Sequence, residues 1–506
     1  MFLRICTIAA GVALVYLATP TAPHAQAPIP APGSRIALHE GLPAVDAGLR
    51  LSTVPSELPA PNDDHKPYAP GRVIVKFRQS ISALSLASVA RSVGGTPTVR
   101  PSYANFDLLE LGLDEDPEAA ARQLSARSDV EYAQALYRSQ LHFVPNDPLY
   151  RSQWNFPAID MERAWDINRG ATNQVIVAVI DSGVAFENIV FRYNTRPITV
   201  VFPDGSLQRI DHGVIDVPYA AAPDLVGADR IVAPYDFVWN DRHPLDTVAH
   251  GTHVAGTIGQ LTDNGVGGAG MAFNVRIMPV KVAGGNWDPF FGAPSPFFTD
   301  DQVARAIRYA ADNGAKAMNM SFGRTGSPAP VVEDAVRYAV SRGAFCVFSA
   351  GNGALQGSPV ERLAEIATRV DGAVAVGAVG PSLARAQYSS IGSWVELSAP
   401  GGDTFPQGPT GGILQQTLDG ALFASPFVRP RFDSMIYAYF QGTSMAAPHV
   451  TGFAALLVQQ GITNPAAIEA AMKRFATDRG PAGPDQEYGF GLINPRATLR
   501  GLGLAQ

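Results

Sequence analysis

The 506-residue chain has little cysteine, little charge and no late apolar run, and each shortage excludes something. Its two cysteines are Cys6 and Cys346. Cys6 sits in a leader marked for removal, so the mature chain keeps a single thiol and forms no internal disulfide. Cys346 stands in an apolar run and reads as inert core. Charged residues are 16% of the chain, the formal net charge is −7 and there is no basic run, which excludes a nucleic-acid binder. The leader carries Arg4, an apolar stretch over 5–18 and small polar residues up to Ala25-Gln26-Ala27. That is a signal peptide cut at 25–27, too short to remain as a spanning helix. No later stretch reaches ~18 uninterrupted apolar residues, so no membrane anchor is expected after it.

What the chain does have is alternation of apolar strands and helices, with a few polar residues placed at their ends. Residues 175–183, Val-Ile-Val-Ala-Val-Ile-Asp-Ser-Gly, form a continuous β-branched run that ends in an acid. Such a run is a buried parallel strand, and it delivers Asp181 to the edge where open α/β sheets build their sites. Residues 250–256, His-Gly-Thr-His-Val-Ala-Gly, begin a helix whose small residues permit close packing. A second apolar strand over 345–350 ends in a turn at Asn352, a residue type that often serves only to form turns. Residues 441–452, Gln-Gly-Thr-Ser-Met-Ala-Ala-Pro-His-Val-Thr-Gly, place Ser444 where a long apolar helix begins. A serine there can be a simple cap. It also has its hydroxyl outward and a backbone N–H beside it at the positive end of the helix dipole, as a nucleophile needs if negative charge is to develop next to it.

Together these blocks resemble the subtilisin-like serine proteases, or subtilases, and the order Asp181, His250, Ser444 is that of subtilisin itself. The resemblance implies a secreted serine endopeptidase, extracellular or periplasmic, that hydrolyses peptide bonds in proteins through an acyl-enzyme. Ser444 would be the nucleophile, His250 its base near neutral pH, and Asp181 the holder of the imidazole tautomer. The Asn352 amide would bind the oxyanion alongside the Ser444 N–H. His253 and His449 read as packed structural histidines. A catalytically dead member used for binding would have lost one of the four residues, and none is lost. A sedolisin-type acid peptidase would carry glutamate where His250 stands.

The resemblance divides the chain into a signal peptide at 1–27, a Pro-rich linker at 28–70, an inhibitor-type propeptide at 71–140 and the catalytic domain at 141–506. Nine prolines fall in 28–70, a composition of extended chain. The propeptide pattern is β-α-β-α-β: a strand over 72–78, a helix stopped by Gly94-Gly95, a strand over 106–113, a helix begun by Asp116-Pro117, and a strand over 130–135. The implied fold is α/β, a subtilisin-like three-layer domain on a parallel sheet, preceded by a small ferredoxin-like α+β propeptide. The partners implied are protein or peptide substrates and the propeptide itself, as inhibitor and folding aid; the enzyme is expected to be a monomer.

Two long segments match nothing in the family pattern, 191–217 and 403–440, and segments of that length are lids, binding loops or structural flaps. The aromatic run 284–298 is expected to rim the substrate cleft. Thr262-Asp-Asn-Gly-Val-Gly-Gly-Ala-Gly270 resembles the family's calcium loop. There the Asn264 side chain and the carbonyls of Thr262, Val266 and Gly268, with carboxylates from Asp147 and Asp224, would bind structural Ca2+ in an all-oxygen shell. A glycine-rich turn with solvated acids is the other reading.

Overall fold

The computed structural model describes residues 68–501, apart from 113–114, 138–142, 171–173, 203, 228 and 294–297, together with short segments at 2–4 and 16–17. Most of the expected signal peptide and linker, and much of the 136–144 junction, lie outside the described residues. The chain forms two compact units, one within residues 20–141 and one built on residues 142–505.

In the first unit, β1 (Tyr68–Phe77), α1 (Ala83–Arg91), β2 (Gly95–Pro97), β3 (Asp107–Leu111), α2 (Pro117–Ser125) and β4 (Val130–Tyr137) follow one another. The sheet order is β2-β3-β1-β4, antiparallel throughout. Val73, Val75, Leu109, Leu111 and Val130 meet Val89, Ala90 and Leu124 from the helices in one small core. Asp116 caps α2 by accepting the Glu118 N–H, with Pro117 in the first turn. The short β2 is an addition to the sequence pattern. Three residues carry too little periodicity to read, and it forms because Thr96 and Pro97 lie opposite Glu110 and Leu109.

The second unit is built on seven parallel strands. In chain order they are β5 (Ile176–Asp181), β10 (Tyr235–Asp236), β11 (Arg276–Lys281), β12 (Ala317–Met320), β13 (Phe345–Ser349), β14 (Ala373–Val379) and β15 (Leu397–Pro400). Between β5 and β10 run two antiparallel pairs, β6 (Ile189–Asn194) with β9 (Val214–Tyr219) and, between them in the chain, the hairpin of β7 (Ile198–Val201) with β8 (Leu207–Ile210). The spatial order of the main sheet is β10-β11-β5-β12-β13-β14-β15, so β5 lies inside it and carries Asp181 to its carboxyl edge.

Both faces of that sheet are covered, which explains the unbroken apolar strands. Val177 and Val179 face one core, while Ala178 and Ile180 face the other. The first core also holds helix α3 (His250–Gly259) and helix α6 (Thr443–Gln459), and the second holds α4 (Asp300–Asp312) and α5 (Pro330–Ser341). The result is a three-layer α/β domain. After β15 the antiparallel pair β16 (Ile413–Leu418) and β17 (Met435–Phe440) leads directly into α6. Among the described residues no helix is long and apolar enough to cross a membrane.

Candidate active site

The carboxyl edge of β5 and the first turn of α3 meet through one short bond. His250 Nδ1 lies 2.7 Å from Asp181 Oδ1, and Asp181 is buried. The same Oδ1 accepts the Ser182 N–H at 2.7 Å, while Oδ2 is buried with no hydrogen-bond partner. Burial pulls the His250 imidazole down, but the Asp181 charge, the bond to Asp181 and the charge of Asp246 together hold it above its ordinary value.

Asp246, four residues before His250, is a site residue that the motifs do not announce. Its Oδ1 accepts the Val248 and Ala249 N–H groups and the Ser182 hydroxyl, and its Oδ2 accepts Thr252 N–H and Oγ–H. Ser182 Oγ in turn accepts the Gly251 N–H at 2.9 Å. One buried carboxylate therefore ties the strand bearing Asp181 to the helix bearing His250. Between them Ala249 adopts φ +75°, a left-handed conformation costly for any residue with a Cβ. Its carbonyl is held by the Thr417 hydroxyl from β16. The available sequence signal was an acid just before a helix start.

Ser444 is the second residue of α6, with Gly442 as cap at φ +151°. Its carbonyl would ordinarily accept a helical N–H from residue 448, but residue 448 is proline and has none. Ser321, just past β12, fills the gap: its Oγ donates to Ser444 O at 2.7 Å, and Ser444 Oγ donates to Ser321 O at 3.0 Å. The Ser444 hydroxyl is thus turned toward Ser321. Asn352 is bound on the other side of the serine. Its Oδ1 accepts both the N–H and the Oγ–H of Thr443, at 2.9 and 3.0 Å, which leaves its amide NH2 as the outward end. The structure so brings Ser444 and Asn352 together through Thr443, and Asp181 and His250 together directly.

The other two histidines are packed inside. His253 Nε2 bonds to the Ile413 and Ala438 carbonyls, and its ring stacks on Phe440; burial lowers its pKa to about 3. His449 bonds to Met445 O and Asn155 Nδ2, and burial lowers its pKa to about 4. Neither can titrate near neutrality.

These geometries agree with what the chain is similar to. The profile of the subtilase family matches residues 172–491, and that of the fervidolysin N-terminal prodomain matches residues 56–135. The chain belongs to the subtilase family. A thermophilic serine proteinase from Bacillus sp. (strain AK1) is 33% identical over 430 residues, covering 84% of this chain and 86% of that one. An extracellular protease of Xanthomonas campestris is 30% identical over 440 residues, covering 82% and 66%. A protease structure from Pseudoalteromonas arctica superposes with a TM-score of 0.53 at 27% identity, covering 72% of this chain and all of that one. This subtilase is a serine endopeptidase with an N-terminal prodomain, and the three-layer fold is the one expected.

One expectation for this subtilase fails. The aromatic run 284–298 was to rim the cleft, but Trp287, Phe290 and Phe291 are buried. Trp287 donates to the Phe423 carbonyl, Phe291 stacks on Tyr193 at 4.0 Å, and His212 lies 5.1 Å from the Trp287 ring. The run is the meeting surface for the two extra segments, so these aromatics are core; Phe298 is half-buried against Phe322, and Phe297 lies outside the described residues.

Around the 262–270 loop, Asp147 and Asp224 are buried and approach one another's neighbours. Asp147 accepts the Asp263 and Asn264 N–H groups. Asp224 accepts Gln260 Nε2, Asn264 Nδ2, Gly268 N–H and the Tyr437 hydroxyl. Gly267 closes over it, for a Cβ there would lie 2.0 Å from Asp224 Oδ2. Asn264 Oδ1 is occupied by the Val266 N–H, and the Thr262 hydroxyl by Gln260 O. Among the described residues no trio of His, Cys, Asp or Glu is gathered for a metal. The side-chain oxygens of Asp147, Asp224 and Asn264 are the hard donors that calcium takes, and as they stand each is engaged by N–H or O–H groups of the protein.

Proposed function

We propose that Ser444 is the nucleophile, His250 its general base and later general acid, Asp181 the residue that orients and charges that base, and Asn352 with the Ser444 N–H the oxyanion site. The observation that carries this is the 2.7 Å Asp181–His250 bond at the sheet edge, with the serine at the head of the neighbouring helix. With Nδ1–H given to Asp181, the imidazole presents Nε2 as the acceptor, and the imidazolium formed on taking the Ser444 proton is stabilised by a carboxylate that does not itself become protonated. The serine must first leave its bond to Ser321 O, a rotation about χ1 that substrate binding would accompany. Negative charge on the attacked carbonyl oxygen then develops beside the Asn352 NH2 and the helix N-terminus. The same His250 returns its proton to the leaving amine, and a water repeats the cycle on the acyl-enzyme.

The preceding unit is an intramolecular inhibitor and folding aid within 71–140, removed by cleavage in the 136–144 junction. About 70 residues is near the size at which a lone core is marginal, so docking would supply its order. The leader directs secretion. Structural calcium would be held by Asp147, Asp224 and Asn264 with carbonyls of the 262–268 loop, and when bound it neutralises two buried carboxylates. Burial holds both acids above the usual range, a destabilising state that a cation offsets.

The deciding experiment is peptide hydrolysis together with labelling by a fluorophosphonate. Wild-type enzyme is expected to hydrolyse and label; Ser444→Ala is expected to do neither. Because His250 must be neutral to accept a proton and its pKa is raised, activity should fall on acidification with a midpoint above the ordinary imidazole value. A rate that does not fall on acidification through the imidazole range would contradict the proposed base.

A further inference from the structure

We propose that Glu361 forms the floor of the pocket for the side chain of the residue whose carbonyl Ser444 attacks, and that it selects arginine or lysine there. This rests on the reading of Ser444 and Asn352 given above and adds a substrate class to it.

Two strand ends flank the place where the attacked carbonyl must sit. One runs from β12 through Ser321, whose carbonyl holds the Ser444 hydroxyl, to Gly323. The other runs from β13 through Gly351 to Asn352. Both carry glycine where they face each other, and one carboxylate explains both. A Cβ on Gly323 would lie 2.4 Å from Glu361 Oε2, and a Cβ on Gly351 would lie 2.5 Å from Glu361 Cγ. Glu361 therefore lies against the backbone one residue from Asn352 and two residues from Ser321. The segment that carries it is anchored across the gap. Arg362 N–H donates to Arg324 O at 2.8 Å, and Pro359 closes over Gly353.

Among the described residues, one oxygen of the half-buried Glu361 is left without a partner. Glu361 Oε2 is buried and accepts no hydrogen bond. The nearby cations are committed elsewhere: Arg324 to Asp300, Thr325 O and Ser327 O, and Arg362 to Gly326 O and Glu365. Burial alone raises the Glu361 pKa, with no neighbouring charge to offset it. An acid buried without a donor is costly, and a fold keeps one where a ligand supplies the missing charge. The side chain of the attacked residue is attached one atom from the carbonyl carbon, so it is the part of the substrate that reaches between the two glycines. A long cationic side chain would place its charge on Glu361; an apolar one would leave the carboxylate buried and unpaired.

The test uses the processed enzyme and peptides that differ only before the scissile bond, with Arg, Lys, Leu, Phe or Glu there. Arg and Lys are expected to exceed Leu in kcat/KM by at least about 30-fold, the low end of what a desolvated charge pair contributes. Glu361→Gln should shrink that ratio by a similar factor, and Glu361→Lys should move the preference to Glu. Without any variant, an arginine aldehyde should inhibit at least about 30-fold more tightly than a leucine aldehyde. A wild-type ratio near one, or an unchanged ratio in a fluorophosphonate-reactive Glu361→Gln enzyme, overturns the assignment. Wild-type enzyme that fails to label with fluorophosphonate would overturn the reading of Ser444, and this inference with it.

Discussion

Along the carboxyl edge of the sheet, Asp181, His250, Ser444 and Asn352 each hang from a strand end or a helix start and are held by one or two hydrogen bonds. Where 191–219, 284–291 and 423–432 meet, the side chains are mostly rings, and they are held by being packed: Tyr193 on Phe291, Tyr219 on Phe432, Phe423 on Phe432, Trp287 among Phe290, Phe291 and His212. On the proposed reading, the first region uses its few polar groups to place a proton. The second buries area. They should therefore fail in different ways, the edge losing rate with the fold intact and the aromatic cluster losing stability with the chemistry intact.

The sharpest form of that contrast is Ser444→Ala. It should abolish hydrolysis, with a loss of about 2 × 10⁶-fold in rate as found for subtilisin itself. It should also leave the precursor uncut at 136–144 while melting near the wild-type temperature. Normal turnover by the purified variant would break the comparison at its root. Asn352→Ala should lower kcat by about 10²–10³-fold, since one oxyanion donor goes. Part of any stability change would come from Thr443, whose N–H and hydroxyl both lose their acceptor. Trp287→Ala should cost about 3–5 kcal/mol in denaturant unfolding, the usual range for an emptied aromatic site. Its folded fraction should keep kcat within a few-fold. A rate loss as large as that of Asn352→Ala would mean the cluster shapes the site after all.

Chelation is the mildest probe. The Asp147 and Asp224 pKa values are raised in the folded protein, so without a cation stability falls as pH climbs through those values. Calcium would remove that penalty, by about 4 kcal/mol at a thousandfold excess over Kd. EDTA should therefore lower Tm at pH 8. An absent shift, in protein shown to carry no metal, would leave the loop a glycine-rich turn.

The strands bearing Asp181 and leading to Asn352 were readable in advance. Strands buried on both faces are continuous apolar runs, and Asp181 and Ser349 mark their ends within a residue or two. Gly95–Pro97 was not readable, being too short for a period. Nor was the burial of Trp287, Phe290 and Phe291, because an aromatic run looks the same whether solvent or another insertion covers it. Ser321 escaped because its work is done with a backbone group, and Asp246 because its partners are spread over the strand and the helix that it ties. Pro448 was the clue for Ser321, since a helix proline leaves a carbonyl in need of a donor.

Local chemistry in the chain decided which residues could act: a serine ahead of an apolar helix, an acid closing a buried strand, a histidine opening a small-residue helix. Those are properties of neighbours within a few positions, and a string of letters carries them intact. Charge balance is different, because it depends on who lies within a few ångströms across 38 residues or 69. Asp181 has His250 at 2.7 Å, while Glu361, set between Gly323 and Gly351, has one oxygen left without a partner among the described residues. Asp181 is announced by the apolar strand it closes, whereas nothing beside Glu361 in the sequence marks it. Burial raises the stakes of every missing partner, and it therefore sets the paired acid apart from the unpaired one.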